Sequence, residues 1–82
     1  MTATIRLRIK KDIDTATEKK ILKMKGGLIS QSFTDLVHFD DDGEEYYINH
    51  FSVENAKKEA AILFITDFIA ANSIQAIEFI SK

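Results

Sequence analysis

The sequence predicts an α+β domain, and three features predict it: a strictly alternating segment near the start, two stretches with helix-capping chemistry, and an Asp-Gly pair between two apolar runs. Thr4 to Lys10 sets Ile5, Leu7 and Ile9 on one side and Arg6, Arg8 and Lys10 on the other. That is a strand with one covered face and one wet or contacted face. Thr15, followed three residues later by Glu18, has the form of a capping box. The helix formers of EKKILKMK then run to Gly26-Gly27, which suits a helix C-terminus. The apolar stripe of this helix, Ala16, Ile21, Leu22 and Met24, is thin. Leu28 to Asp40 holds a strand that ends in Val37-His38-Phe39 and leads into Asp40-Asp41-Asp42-Gly43. Asp-Gly favours a two-residue hairpin turn because both central residues must tolerate positive φ, so EEYYINHF (Glu44 to Phe51) is the returning strand. Ser52 is the expected N-cap of a long helix from Val53 to about Asn72, with Glu54 in its first turn, and Ile74 to Ile80 reads as a closing strand. The order β-α-β-β-α-β is the ferredoxin-like arrangement: a four-stranded antiparallel sheet with two helices on one face, built as a single α+β domain over 1–82.

Composition narrows the function classes. A chain of 82 residues buries only roughly 60 to 65% of its unfolded surface. With 45% hydrophobic and 29% charged residues it is globular rather than disordered or fibrous. Cysteine is absent, which excludes disulfides, thiolate zinc sites, iron-sulfur clusters and cysteine nucleophiles. The opening MTATIRLRIKK has no continuous apolar run, so no secretory signal is expected. The apolar run Ala60 to Ala71, interrupted by Thr66 and Asp67, falls short of the ~20 residues that span a bilayer. A cytoplasmic protein without membrane contact is the expectation. Charge is segregated: residues 1–25 carry eight basic side chains against three acidic, the remainder three against ten, giving the net charge of -2. Such segregation fits a basic binding surface, self-complementary subunits, or two parts of the chain that attract each other within the fold.

The adjacent tyrosines 46 and 47 pose a question of faces, since neighbours on a strand point to opposite sides. A two-residue turn at Asp42-Gly43 pairs Asp41 with Glu44, and hence Phe39 with Tyr46, Val37 with Ile48 and His38 with Tyr47. Val37, Phe39, Tyr46 and Ile48 then read as core. Leu36, His38, Asp40, Glu45, Tyr47, Asn49 and Phe51 face outward. With the first strand beside the third, Arg6 and Arg8 join Tyr47 and Asn49 on the helix-free face. Arginine and tyrosine are enriched at interfaces. The competing reading is an ordinary solvated sheet face with a few large residues. On the last helix, Ala61, Phe64, Ile65, Phe68 and Ile69 form the core stripe, while Leu63 lies far round the wheel and is either a lone exposed leucine or a contact with another chain.

Three constellations bear on chemistry. His38, Asp40 and Asp42 have an H-x-D-x-D spacing that a metal could use, although aspartates before a glycine are better explained by the turn. Asp35 falls opposite His50 in the expected register, a carboxylate beside an imidazole with no nucleophile placed by sequence. RNA-recognition-motif proteins share the topology and stack bases on sheet aromatics. Against their third-strand signature, EEYYINHF agrees only at Tyr46 and Phe51, with Glu44 and Glu45 where a basic residue and glycine belong. Membership is therefore not assigned. The expected function is a non-enzymatic interaction or regulatory domain, without cofactor or metal, that forms a homodimer through the helix-free face and meets an as yet unknown protein partner. Its binding residues are expected at Arg6, Arg8, His38, Tyr47 and Asn49, with Leu63 as a separate contact. The alternative is single-stranded nucleic-acid binding on the same face, Arg6 and Arg8 on phosphates and Tyr47 under a base.

Overall fold

The computed structural model describes residues 1–80. Strand β1 (Thr2–Lys10) leads to helix α1 (Thr15–Ser30), strands β2 (His38–Asp42) and β3 (Tyr46–Glu54), a 3-10 turn at Asn55–Lys57, helix α2 (Lys58–Ala71) and strand β4 (Ile77–Phe79). The sheet is antiparallel throughout, in the order β2-β3-β1-β4, which is the ferredoxin-like topology expected from the sequence. No helix among the described residues is long and apolar enough to cross a membrane.

The core follows from the alternation in β1. Ile5, Leu7 and Ile9 are buried, and β3 sets Phe51, Asn49 and Tyr47 opposite them in turn, so these β3 side chains lie on the helix-covered side. Ile21, Met24 and Leu28 of α1, with Ala61 and Ile65 of α2, close over that side. Ile74 and Ile77 complete the cluster.

Several elements differ from the sequence expectation, each for a physical reason. Helix α1 begins at an Asp14 cap, whose Oδ1 accepts from the Thr17 N–H at 2.7 Å, not at a Thr15 capping box. It runs through Gly26-Gly27 instead of ending there, because Leu28 in the next turn is fully buried. Gly27 serves helix packing: a Cβ there would stand 2.6 Å from the ring tip of Phe64 on α2. Both helices end in the same way, with a serine in the left-handed region (Ser32 φ 64, Ser73 φ 54). The next N–H reaches back five residues, Phe33 to the Leu28 carbonyl and Ile74 to the Ile69 carbonyl, each at 3.0 Å. These are Schellman closures, sealed by apolar side chains just beyond the helix.

Helix α2 begins five residues later than the Ser52 cap would give. Ser52 and Val53 belong to β3, which pairs with β1 from Thr2↔Glu54 to Lys10↔Tyr46 and inserts Val53 into the core. Strand β4 is shorter than Ile74 to Ile80, since Ile74 is part of the α2 closure.

The largest correction concerns the hairpin. The loop is Gly43-Glu44-Glu45, with φ 76 at Gly43, and Asp42 pairs with Tyr46. Asp42, expected in the turn, is a strand residue, and Asp41, expected opposite Glu44, stands opposite Tyr47. The pairing is displaced by three residues from the two-residue turn, and an odd displacement exchanges the faces. Tyr47, Asn49 and Phe51 are therefore on the helix side, while Tyr46 and Ile48 are on the helix-free side. His38 stands opposite His50 rather than Tyr47, and Asp35 does not pair with His50.

Candidate sheet-face interaction site

On the helix-free face the strand register arranges side chains in rows, read in the order β2, β3, β1. One row is His38, His50 and Arg6; the next is Asp40, Ile48 and Arg8, extended to Glu78 on β4; the third is Asp42, Tyr46 and Lys10. Cations thus line β1, carboxylates line β2 on one side and sit at Glu78 on the other, and the strand between β1 and β2 carries the aromatic and aliphatic groups. Backbone alternation produces this. Ile5, Leu7 and Ile9 turn into the core and force Arg6, Arg8 and Lys10 outward.

Arg8 is the best-anchored group of the face. Its Nε donates to Asp42 Oδ2 at 3.1 Å and its Nη1 to Glu78 Oε1 at 3.3 Å. Because β3 lies between β1 and β2, the side chain must cross β3 to reach Asp42. It does so with the guanidinium 5.1 Å from the Tyr46 ring centroid. Arg6 and Lys10 make no ion pair among the described residues. His38 and His50 stack at 5.2 Å between centroids and 18° between planes, and His50 Nε2 lies 3.1 Å from Asp40 Oδ2. The carboxylates of the H-x-D-x-D segment are thus turned to Arg8 and His50. No group of three or more His, Asp or Glu side chains among the described residues could hold a metal ion.

Of the residues expected to bind, Arg6, Arg8 and His38 share this face, and Tyr47 and Asn49 do not. Tyr47 packs edge-on against Phe39 (5.6 Å) beneath the Lys11 ammonium, 4.9 Å from the ring centroid, on the helix side. Lys11 is held there by Asp41 at 2.9 Å. Asn49 is 3% exposed, and its Oδ1 has no hydrogen-bond partner. Leu63 is 59% exposed on the outer side of α2, away from the sheet. The residues missed were Tyr46, Ile48 and His50. Their signal was the continuation of β3 to Val53: extended alternation through Asn49, Phe51 and Val53 places the opposite set outward. Tyr47 is not on the face where a base was expected to stack, and the aromatic that is there, Tyr46, already lies under Arg8.

Comparison with protein-family models, with curated proteins and with solved structures finds no match to this chain.

Proposed function

We propose that this chain is a non-enzymatic interaction domain that forms a homodimer through its helix-free sheet face. The observation that carries the reading is the registry of charge: in two of the three rows a cation on β1 stands level with an acid on β2, two strands away, Arg8 with Asp40 and Lys10 with Asp42. A two-fold axis in the interface and parallel to β3 turns the partner's β1 over β2 while keeping each row at its level. Lys10 of one chain then faces Asp42 of the other, Arg8 faces Asp40, and Arg6 faces His38. Tyr46, Ile48 and His50 meet their own copies along the axis. Stacked sheets lie ~10 Å apart, a gap that side chains of this length fill.

About that axis β2, β3 and β1 overlap while β4 has no strand opposite it, and three strands at ~4.8 Å spacing over five residues at ~3.4 Å each give a flat contact of roughly 250 Å² per chain. Twice that, about 500 Å², is below the ~1,000 Å² of a stable specific interface, so the dimer is weak and concentration-dependent. Nucleic acid on the same face would meet Asp40, Asp42 and Glu78 beside the arginines, and like charges repel the phosphates. Self-association instead sets Arg8 and Lys10 against the carboxylates Asp40 and Asp42.

The test is absolute mass by light scattering on a sizing column, at low and moderate salt. A dimer that weakens with salt is expected, because exposed pairs are screened. Ile48→Glu, which sets two carboxylates against each other on the axis, gives a monomer, while Tyr47→Ala on the opposite face leaves the mass unchanged. A monomer at all accessible concentrations, or a dimer indifferent to Ile48→Glu, would sink the reading.

A further inference from the structure

A second surface lies along the free edge of β2 and shares with the face just described only the side chains His38, Asp40 and Asp42. β2 ends the strand order, so the outer backbone groups of His38–Asp42 meet no strand. No hydrogen bond among the described residues covers them from elsewhere in the chain. Beside this edge, on the helix side, large apolar groups stand open: Phe39 is 62% exposed, Leu22 59% and Ile29 43%. They form one patch. Lys25 of α1 reaches to 5.8 Å from the Phe39 ring centroid, Leu22 and Lys25 line one small cleft with Tyr47 and Asn49, and Ile29 follows Lys25 one helical turn on. Exposed apolar groups gathered next to an open strand edge are an unusual pair of liabilities on one flank.

The charges on the edge decide what can cover it. β2 is acidic, His38-Phe39-Asp40-Asp41-Asp42, and antiparallel pairing with a second β2 about its centre would set Asp40 against its own copy and bring three carboxylates of each strand beside three of the other. A second copy is therefore disfavoured at this edge. The geometry points to β-strand addition by an extended segment that alternates basic and apolar side chains. Alternation puts its basic residues on the helix-free side beside His38, Asp40 and Asp42. Its apolar residues then fall on the helix side, over Phe39 and against Leu22 and Ile29. Strand β1 of this chain shows that such a sequence fits the sheet: Arg6, Arg8 and Lys10 lie on the helix-free side and Ile5, Leu7 and Ile9 on the helix side. The partner is thus a protein with an unpaired, β-prone, arginine- or lysine-rich strand or tail.

The probe is an end-blocked seven-residue peptide alternating arginine with isoleucine, titrated into the isotope-labelled chain and followed by amide resonances. The control peptide has glutamate for every arginine. Shifts and slowed amide exchange confined to residues 38–42, with side-chain shifts at Phe39 and Leu22, are expected from the arginine peptide. The glutamate peptide should give none. Asp40→Lys, on an exposed side chain, should weaken the arginine peptide at least tenfold and admit the glutamate peptide, and unchanged amide exchange in β1 and β3 would show that it folds. Phe39→Ser should also weaken binding. Absence of shifts at millimolar peptide, equal response to both peptides, or shifts on Tyr46 and Ile48 instead of the β2 edge would each overturn the inference. Self-association is measured separately, so its loss leaves this result interpretable.

Discussion

Asn49 sits between Leu7 and Phe39 across the sheet, beneath α1, in a position where an aliphatic residue would extend the core. Its Oδ1 is buried without a partner, and an unsatisfied buried amide costs about 1–3 kcal/mol. Asn49→Leu is therefore expected to raise stability by about 1 kcal/mol, read as a higher urea midpoint at unchanged slope. A loss of stability would mean that the amide is satisfied by a group such as an internal water. At the other end of the exposure scale, Asp14 is exposed, and its hydrogen bond from Thr17 at the α1 N-terminus holds its carboxyl below the ordinary carboxylate range. The folded chain thus releases this proton more readily than the unfolded one, so the cap stabilises above the ordinary range and its contribution disappears as pH falls through the depressed value. Asp14→Asn keeps an acceptor that does not titrate. Urea midpoints followed down through the acid range should fall less steeply for that variant than for the parent chain. Lys25 is shifted by a different cause: partial burial against Phe39 disfavours its charged form and holds its ammonium below the usual lysine range.

Helix ends carry the clearest local cost. Ser32 and Ser73 each occupy the left-handed region at the C′ position, where a Cβ is unfavourable by roughly 1 kcal/mol. Ser32→Gly and Ser73→Gly are expected to stabilise the fold by a few tenths to about 1 kcal/mol each, and to add when combined because the two helix ends are separate sites. A fall in thermal midpoint for either would contradict the closure described. These ends also mark where the sequence was and was not legible. The order of elements was readable because β1 alternates with period two and α2 has a continuous apolar stripe. The end of α1 was not, since Gly26-Gly27 has the composition of a C-cap while its reason for being there is the Phe64 ring on another helix. The outward face of β3 was not either. Its two side-chain sets are both amphipathic, and the residue that decides between them, Val53, follows a serine that resembles a helix cap. An Asp-Gly pair suggests the shorter loop, and nothing local records that Asp42 belongs to the strand; the ion-pair partners of Asp41 and Asp42, Lys11 and Arg8, are distant in sequence.

For the molecule as a whole, the charge segregation along the chain is resolved only in part inside the fold, by two of the eight basic side chains of residues 1–25. Arg8 and Lys11 of the basic segment meet Asp42, Glu78 and Asp41 of the acidic one. These links are half-exposed, so each contributes at most about 1 kcal/mol and less in salt. The principal support is the pairing of β1 with β3 along nine positions, which binds the first residues of the chain to its middle and sets Ile5, Leu7, Ile9, Phe51 and Val53 into the core. Edge strands are shorter: β2 has five residues and β4 three. Native-state hydrogen exchange should accordingly find its slowest amides at the centres of β1 and β3, with β2 and β4 opening by smaller, local events. Equal protection across all four strands would show instead that the edges unfold only with the whole.

The Gly43-Glu44-Glu45 loop joins a strand that cannot slide to one that can. β3 is committed, because Phe51 and Val53 have no other place to go. β2 is not, for every one of its side chains except Asp42 is exposed. Deleting or inserting one loop residue would therefore leave the interior as it is and turn β2 over. Phe39 and Asp41 would then appear where His38, Asp40 and Asp42 now stand. A single codon at this hairpin would act as a selector for what the molecule displays, giving descendants of the chain a way to change partners without changing architecture.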